Sequence, residues 1–556
     1  MNWINNMKYL FKKRKEITAE PARIAEIAKE LGVSNILAEL LYVRGIMQDT
    51  GAFLNPDIRN MYDPNLFSDM RKAAAVIRAH IAEKKKICIY GDYDSDGVNA
   101  AAILYLTLRK MGGDAFVYLP KRAEGYGMNA EAVKNIAHRG ADLLVTVDCG
   151  ISNVAEVRTA KELGMTVIVT DHHECPEELP DADAILNPKR EGEKYPFREL
   201  CGGGVAFKLA CALTGKAAFE LIDFAAVATI GDVVPLLSEN RIITAKGLYK
   251  LSVAPSTGLN TLIREAGINK KPINSEGVAF GLVPRINAAG RLEDPLIAFR
   301  LLCGLESPTA LETYAKKCCA LNLKRQGLQE SIVRQCMEMA AAYADARVLV
   351  LQDDAWDTGI VGLAASALVE RFAKPALLLG MRGGLCAGSA RSVDGVNIYN
   401  ALKACGDLLE AYGGHEAAAG MSVKKENLSA LREALNQYMY QKHTEEDFMF
   451  REFYDMEAKI ADINCEVIRE LHRLKPFGSG NEQVKILLRN VAVMEKRAIG
   501  NGKHSRVVLS QDGAVIGGVK FGTPASEIPD RMDALVSAQI SDYNGAAEVI
   551  VDVISY

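Results

Sequence analysis

Five short apolar runs alternate with helical segments between residues 87 and 186, and this alternation constrains the fold more than any other feature of the chain. The runs are Ile87–Tyr90, Ala115–Leu119, Leu143–Val147, Thr166–Val169 and Ala184–Leu186. Between them, apolar residues recur at helical spacing in Val98–Arg109, Asn129–His138 and Asn153–Leu163. This succession of strand, helix and strand predicts a parallel sheet covered by helices.

The segments on either side of this sheet complete an α/β fold. Helical patterns dominate before it and again after it, and a long helix is expected from Leu311. A second α/β pattern opens at Arg347, and short alternating strands with glycine turns then suit a β-barrel of OB type. The predicted domains are a helical cap at 1–80, the sheet domain at 81–250, a helical connector at 251–345, a second α/β domain at 346–442 and the barrel at 450–556.

Composition narrows the class of protein. Hydrophobic residues make up 49% of the chain and charged residues 24%, which is typical of a globular protein. The apolar runs are too short to span a membrane, and the first residues lack the pattern of a secretory signal, so we expect a cytoplasmic protein. The net charge is −4, so any surface that binds nucleic acid must be local.

Acidic and imidazole side chains follow three of the predicted strands. They are Asp92, Asp94 and Asp96 after the first strand, Asp148 after the third, and Asp171, His172 and His173 after the fourth. The loops at the carboxyl ends of parallel strands meet at one edge of a sheet, so we expect these side chains to converge. Asp232, which follows another apolar run, is a further candidate carboxylate.

Crowded carboxylates of this kind indicate a metal site. Their mutual repulsion requires a cation, and imidazole among oxygen ligands favours manganese or magnesium over a thiolate zinc site. Two such ions about 3.5 to 4 Å apart promote displacement at phosphorus. Taken alone, Asp-x-Asp-Gly is more often a turn or a helix N-cap, and Asp-His-His is often a surface turn. The three motifs together, each at a strand end, favour a phosphodiester hydrolase.

The motifs GDYDSDG, VDCG, TDHH and IGDVVPL also resemble, in this order, those of the DHH phosphoesterases. The resemblance implies two Mn²⁺ or Mg²⁺ ions, with Asp148 bridging them and His173 contacting the scissile phosphate. Many relatives carry a histidine at the position of Tyr90, so we expect Asp92 to act as a ligand in its place, which leaves the metal preference open. The expected metal ligands are Asp92, Asp94, Asp96, Asp148, His172 and Asp232, and the expected catalytic residues are His173, Asp148 and Asp96.

Later segments resemble the branch of this family that degrades single-stranded DNA. They include RINAAGRLEDP, GSARS, GGHEAAAG and LKPFGSGN. The resemblance implies a DHH-type parallel sheet domain joined by a long helix to a smaller α/β domain of DHHA1 type, with a C-terminal OB-like β-barrel. Arginine offers bidentate donors to phosphate, although Arg291 could instead pair with Glu293 or Asp294. The expected substrate-binding residues are Arg122, Tyr126, Arg285, Asn287, Arg291, Ser389, Arg391, Gly414 and His415.

The function expected from this resemblance is a metal-dependent 5′-to-3′ exonuclease of single-stranded DNA, acting in DNA repair and recombination. A single-stranded-DNA-binding protein and a helicase are the partners that it suggests, and no membrane is involved. Two alternatives stay open at this point. One is a nuclease for short RNA or nucleotide oligomers, and the other is a catalytically silent replication scaffold of the same fold.

Overall fold

The computed structural model describes residues 9–15, 20–47, 49–125, 127–268 and 272–555. The chain forms two compact units. The larger unit contains Phe11–Gly290, Asp294–Cys318 and Glu452–Tyr556, and the smaller unit consists mainly of Cys319–Arg451 together with Arg291–Glu293. Within the described ranges, no helix is both long enough and apolar enough to cross a lipid bilayer.

The first part of the chain is mainly helical. Its elements are β1 (Tyr9–Lys13), α1 (Pro21–Leu31), α2 (Asn35–Val43), α3 (Thr50–Leu54) and α4 (Met70–Ala82). The side chain of Ser34 caps α2 by accepting a hydrogen bond from the backbone N–H of Leu37. Leu37, Leu40 and Leu41 of α2 are buried in one apolar cluster with residues of the C-terminal domain.

The parallel sheet predicted from the sequence is confirmed. Its strands are β2 (Lys86–Gly91), β3 (Asp114–Tyr118), β4 (Leu143–Val147), β5 (Thr166–Thr170) and β6 (Ala184–Leu186), in the order β3-β2-β4-β5-β6. The intervening helices are α5 (Ser95–Lys110), α6 (Ala130–His138) and α7 (Val154–Glu162). All five residues of β4 are buried, as expected for a central strand covered on both faces. This order places the ends of β2, β4 and β5 side by side.

A series of helices follows the sheet along the chain, and the last of them continues into the smaller unit. They are α8 (Gly202–Thr214), α9 (Ile222–Gly231), α10 (Ser238–Val253), α11 (Thr257–Glu265), α12 (Val283–Leu292), α13 (Leu296–Cys303) and α14 (Pro308–Ala340). A π-helical turn, Gly277–Leu282, leads into α12. The long helix expected from Leu311 is confirmed as α14, which has 33 residues.

The smaller unit contains a five-stranded mixed sheet with helices on both faces. Its elements are β7 (Leu349–Gln352), α15 (Val361–Phe372), β8 (Ala376–Arg382), β9 (Leu385–Arg391), α16 (Ile398–Ala404), β10 (Ala411–Gly414), β11 (Ala418–Val423) and α17 (Leu428–Lys442). The strand order is β10-β11-β9-β8-β7, and only β7 and β8 are parallel. One apolar cluster packs under α16 and α17 and another under α15.

The C-terminal segment is a closed β-barrel, as predicted. Its elements are β12 (Phe450–Tyr454), β13 (Met456–Glu457), α18 (Cys465–Leu471), β14 (Ile486–Ile499), β15 (His504–Gln511), β16 (Ala514–Lys520), β17 (Arg531–Ile540) and β18 (Ala547–Ser555). The long strand β14 pairs with both β15 and β17, which closes five strands into a ring. This closure is consistent with an OB fold.

Candidate active site

The acidic and imidazole side chains at the ends of β2, β4 and β5 converge in the structure. His172 Nε2 lies 3.1 Å from Asp148 Oδ1, 3.7 Å from Asp96 Oδ2 and 3.6 Å from Asp232 Oδ2. Asp92, Asp94 and Asp148 form a second group whose oxygen atoms lie within 4.8 Å of one another. All six residues expected to hold metal therefore occupy one site.

Three of the candidate ligand atoms of this site are buried and lack hydrogen-bond partners. Asp96 and Asp148 are each 2% exposed, and Asp92 is 4% exposed. Asp92 Oδ1, Asp148 Oδ1 and His172 Nε2 are inaccessible to solvent and accept or donate no hydrogen bond. Leaving a buried polar atom unsatisfied costs about 1 to 3 kcal/mol, and a bound cation would remove that cost. A set of carboxylate oxygens with one imidazole fits Mn²⁺ or Mg²⁺.

The electrostatics of the site reflect this crowding. Burial and the charge of Asp94 raise the pKa of Asp92 to about 7. Burial and the charges of Asp96 and Asp94 raise the pKa of Asp232 to about 8. The pKa of Asp148 is raised well above its usual value, again by burial first and then by the neighbouring carboxylates. Without a cation, the site therefore holds protons that ordinary aspartates would have lost.

Tyr90, which stands where many DHH relatives carry histidine, takes no part in the cluster. Its hydroxyl donates to the carbonyl oxygen of Gly127 at 3.0 Å, and its ring stacks on Tyr118 with the ring centroids 5.2 Å apart. Asp92, by contrast, belongs to the group that contains Asp94 and Asp148. This arrangement supports the expectation that Asp92 supplies a ligand in this chain.

The loops that carry the carboxylates depend on unusual backbone geometry. Asp148 has φ 61°, in the left-handed region that non-glycine residues rarely adopt. Gly150, which follows in the same loop, has φ 111°. Strained residues of this kind persist only where the surroundings hold them, and they concentrate at functional sites. The backbone of the β4 loop thus aims the Asp148 carboxylate at the cluster.

Two glycines at the start of α8 also build the site, and sequence reasoning missed them. The backbone N–H groups of Gly202 and Gly203 donate to the two oxygens of Asp96 at 2.8 and 2.7 Å. A Cβ atom on Gly202 would lie 2.5 Å from Asp148 Oδ1, so no larger residue fits without a shift. The only local signal was the run Cys201–Gly204 at a helix start.

Asp171 of the Asp-His-His motif was expected to converge with the other strand-end side chains, but the sequence alone assigned it no role. Its Oδ1 accepts hydrogen bonds from the backbone N–H groups of His172 and His173, and its Oδ2 accepts one from Ile151. Asp171 Oδ1 also lies 2.7 Å from His173 Nδ1. Asp171 therefore orients His173.

The same contact sets the charge of this imidazole. Burial opposes the charged form of His173, but the hydrogen bond to Asp171 and its negative charge outweigh burial and raise the pKa of His173. Burial likewise opposes ionisation of Asp171, but the bond from His173 helps to lower the pKa of Asp171 below its usual value. The pair favours an ionised carboxylate beside a charged imidazole.

Two of the substrate-binding residues expected in the larger unit, Asn287 and Arg122, lie close to the loop between β2 and α5. Asn287 Oδ1 accepts a hydrogen bond from the backbone N–H of Ser95 at 2.6 Å, so this amide supports the carboxylate loop directly. Arg285 Nη1 donates to the carbonyl oxygen of Gly281, while its Nε is buried without a partner. The Arg122 guanidinium lies 5.8 Å from the centroid of the Tyr93 ring. Tyr126 lies outside the described residues.

The residues expected to bind substrate in the smaller unit gather at the start of α15. Ser389 Oγ and Arg391 Nη2 each lie 3.1 Å from the position of a Cβ on Gly362, in the first turn of that helix. Arg291 Nη1 donates to the carbonyl oxygen of Gly359 at 3.3 Å. Two guanidinium groups, a hydroxyl and a helix N-terminus form a setting suited to phosphate.

The other two residues expected in the smaller unit lie at a strand end. Gly414 ends β10 with φ 143°, and His415 follows it; both are exposed. The backbone N–H of His415 donates to the carbonyl oxygen of Ala418 at 2.9 Å. His415 Nδ1 accepts a hydrogen bond from the backbone N–H of Ala417 at 3.3 Å. These contacts fix the turn between β10 and β11.

The raised carboxyl pKa values predict a pH-dependent stability that metal reverses. A carboxyl whose pKa is higher in the folded than in the unfolded state destabilises the fold as pH rises, until pH passes the folded pKa. For Asp92 and Asp232 this loss of stability continues up to their folded-state pKa values of about 7 and about 8. The metal-free protein should therefore melt several degrees lower at pH 8.5 than at pH 6. Mn²⁺ binds the ionised carboxylates, so its stabilising effect should be larger at pH 8.5.

Thermal melts in chelator and in Mn²⁺ at both pH values measure this dependence. The Asp92→Asn variant is the control, because loss of one titrating carboxyl should reduce the difference between the two pH values. Equal melting temperatures of the metal-free wild-type protein at pH 6 and pH 8.5 would contradict the prediction.

The fold and the cluster together are those of a DHH phosphoesterase, and comparison with known proteins agrees. The family model described as "DHH family, N-terminal domain" matches residues 86–231. The "DHHA1 domain" model matches residues 345–441, and the "RecJ OB domain" model matches residues 454–554. These three matches cover the sheet of the larger unit, the smaller unit and the barrel.

Whole-chain similarity defines the family more narrowly. The chain is 40% identical to a single-stranded-DNA-specific exonuclease RecJ from Bacillus subtilis over 506 residues, which cover 90% of this chain and 64% of that protein. It is 30% identical to RecJ from Salmonella typhimurium over 553 residues, which cover 93% of this chain and 95% of that protein. A crystal structure of Thermus thermophilus RecJ with Mn²⁺ superposes with a TM-score of 0.85 at 28% identity, covering 98% of this chain and 80% of the other. The chain belongs to the RecJ family.

Proposed function

We infer that this chain is a metal-dependent exonuclease that removes nucleotides from the 5′ end of single-stranded DNA. The observation that carries this inference is the buried cluster in which Asp92 Oδ1, Asp148 Oδ1 and His172 Nε2 have no hydrogen-bond partner. The relatives named above are single-stranded-DNA-specific exonucleases, and solved structures of Thermus thermophilus RecJ contain Mn²⁺ or Mg²⁺. Membership of this family supports the substrate and the reaction class.

The six ligands divide naturally between two divalent ions. Asp96, His172 and Asp232 form one group of ligand atoms, Asp92, Asp94 and Asp148 form a second, and Asp148, His172 and His173 form a third that overlaps both. Asp148 Oδ1 also lies 3.1 Å from His172 Nε2, so its carboxylate reaches both groups and is the natural bridge. When bound, a pair of such ions supplies Lewis acidity for displacement at phosphorus.

Backbone and side-chain groups around the ligands hold them in place and can bind the negatively charged phosphate. The amides of Gly202 and Gly203 fix both oxygens of Asp96, and Asn287 fixes the start of α5 through Ser95. His173, with Nδ1 turned to Asp171 and a raised pKa, favours the imidazolium form. Its Nε2–H can then donate to an oxygen of the scissile phosphate.

The smaller unit carries groups that suit a phosphate. Ser389, Arg391 and Arg291 gather at the start of α15, and burial lowers the pKa of Arg391, which indicates a guanidinium that is partly withdrawn from water. A terminal or backbone phosphate would neutralise the positive charge of this guanidinium and accept its hydrogen bonds. A cytoplasmic location, and a single-stranded-DNA-binding protein and a helicase as partners, belong to the same proposal.

Degradation of end-labelled oligonucleotides tests the proposed activity. A single-stranded DNA labelled at its 5′ end should release labelled mononucleotide first, whereas a 3′ label should pass through progressively shorter fragments. Both reactions should require Mn²⁺ or Mg²⁺ and stop in chelator. Release of the 3′ label first would contradict the polarity.

Matched substrates separate this activity from its alternatives. Duplex DNA and an RNA strand of the same sequence should be degraded much more slowly than the single-stranded DNA. Preference for short RNA would identify an oligoribonuclease instead. Intact substrates in every metal condition would identify a silent scaffold.

A further inference from the structure

Arg241 of α10 is a buried cation whose hydrogen bonds go to backbone carbonyl groups. It is 1% exposed, and burial together with the charge of Arg44 lowers its pKa to about 10. Its Nε donates to the carbonyl oxygen of Phe53 at 2.7 Å. Its two terminal nitrogens donate to four successive carbonyl oxygens, those of Arg473, Leu474, Lys475 and Pro476. All five N–H groups of this guanidinium are thus committed, and four of its acceptors lie in one short segment.

A second side chain fixes the same segment from within the C-terminal domain. Asn481 is 1% exposed, and its Nδ2 donates to the carbonyl oxygens of Leu474 and Pro476 at 2.8 and 2.9 Å. Asn481 Oδ1 accepts a hydrogen bond from Arg44 Nη1 at 2.7 Å. Residues 473–481, which contain the whole motif LKPFGSGN and are called the clasp segment below, therefore have a fixed shape.

The clasp segment packs against the loop that follows Asp232. The backbone N–H of Leu236 donates to the carbonyl oxygen of Ser479 at 2.7 Å. Gly478 lies so close to Leu236 that an added Cβ would be 2.6 Å from its Cδ1. On the other side, Asn240 Nδ2 donates to the carbonyl oxygen of Pro235 at 3.0 Å. In the loop after Asp232, Leu236 is therefore held by the clasp segment and Pro235 by α10.

The loop needs this support because its backbone is strained. Val233, directly after Asp232, has φ 60°, a conformation that is unfavourable for a β-branched residue. Such a residue costs about 1 to 3 kcal/mol and persists only where neighbouring structure holds it. The Asp232 side chain is 25% exposed, so packing around the carboxylate itself restrains it less than its buried partners.

We propose that the clasp segment positions Asp232 for metal binding, with Arg241 as the residue that anchors the segment to α10. The C-terminal domain then contributes to the metal site as well as to the barrel. The proposal rests on the inferred role of Asp232 as a metal ligand. Arg241 and the clasp segment act through the loop and are positioning elements, because none of their contacts described above is with a ligand atom.

Calorimetric titration of Mn²⁺ into the metal-free protein tests this proposal with the Gly478→Ala variant. The added methyl group should push Leu236 away and weaken binding of the ion that uses Asp232 about tenfold, as is usual when a supporting residue of a metal ligand is changed. Binding of the other ion should stay within about twofold. Gly517→Ala is the matched control, since a Cβ on Gly517 has no atom within 4 Å; it should bind both ions as the wild type does.

The Asp232→Asn variant separates failure of this proposal from failure of the proposed function. Wild-type Mn²⁺ binding by Asp232→Asn would remove Asp232 from the metal site and with it the premise. Weakened binding by Asp232→Asn but wild-type binding by Gly478→Ala would overturn the positioning role alone.

Arg241→Gln gives a more severe version of the same test. It should leave the four carbonyl groups of the clasp segment poorly paired and weaken Mn²⁺ binding more than Gly478→Ala does. Lys250→Met is its control, because Lys250 is a partly buried cation of the same helix that pairs with Asp223, away from the clasp segment. Equal losses of Mn²⁺ affinity in these two variants would mean that general destabilisation is the cause and would overturn the proposal.

Discussion

Replacement of Asp148 by alanine should lower the rate of single-stranded DNA hydrolysis by about 10³-fold, equivalent to about 4 kcal/mol in the barrier, because the carboxylate reaches both groups of proposed metal ligands. The same change should stabilise the metal-free protein. Asp148 is buried and its pKa is raised well above its usual value, so the folded state bears an electrostatic cost that alanine removes. We expect a melting temperature a few degrees above that of the wild type in chelator, and little further rise with Mn²⁺.

This prediction is specific because Asp148→Ala should lower the cleavage rate and at the same time raise the melting temperature of the metal-free protein. Asp223→Ala is the matched control, since Asp223 is fully buried but pairs with Lys250 outside the metal cluster. It should lower the melting temperature, because it leaves a cation without its partner, and should leave Mn²⁺ stabilisation in place. Single-turnover cleavage and thermal melts with and without Mn²⁺ supply both measurements. A wild-type cleavage rate for Asp148→Ala would refute the bridging role.

Much of the larger unit could be predicted because its strands carry a strong local signal. Leu143–Val147, for example, is apolar except for Thr146 because it is covered on both faces of a parallel sheet, and the strand found has the same limits. The rule that loops at the carboxyl ends of parallel strands share one edge then brings Asp148 and His172 together from distant parts of the sequence. The strand order therefore predicts the site from segments that are each recognisable locally.

The supports of the ligands could not be predicted in the same way. Gly202 donates to Asp96 across 106 positions of sequence, and a glycine leaves no periodic pattern that would show what approaches it. Asn287 was expected to bind substrate, and no pattern around it indicated that its oxygen also accepts a hydrogen bond from Ser95. Contacts of this kind depend on the packing of helices whose relative positions the sequence pattern does not specify.

The clasp segment shows the same limit more sharply. Its motif was recognisable by its resemblance to relatives, but nothing in LKPFGSGN indicates that a buried arginine of α10 binds its carbonyl groups. Backbone acceptors are present in every sequence, so a site made of carbonyl oxygens has no signature in residue types. Only the folded chain shows that Gly478 lies against the side chain of Leu236.

The Gly202→Ala variant should bind Mn²⁺ about 100-fold more weakly than the wild type, at the upper end of the range for residues that support a ligand. A Cβ at this position would lie 2.5 Å from both Cβ and Oδ1 of Asp148, which is far inside van der Waals contact. Either Asp148 or the start of α8 must move, and movement of the helix also displaces the N–H groups that hold Asp96. Calorimetric titration with Mn²⁺, together with the rate of DNA hydrolysis, measures the loss.

Gly204→Ala supplies the control for this last prediction, because it makes the same substitution two residues further along the same helix. Its added Cβ would meet Leu200 at 3.3 Å, a contact that a side chain can relieve, and neither Asp148 nor Asp96 is among its nearest atoms. We expect Mn²⁺ affinity within about threefold of the wild type for this variant, since only a leucine side chain must adjust. If Gly202→Ala bound Mn²⁺ as tightly as Gly204→Ala, the close approach of α8 to the carboxylates would have no role in metal binding.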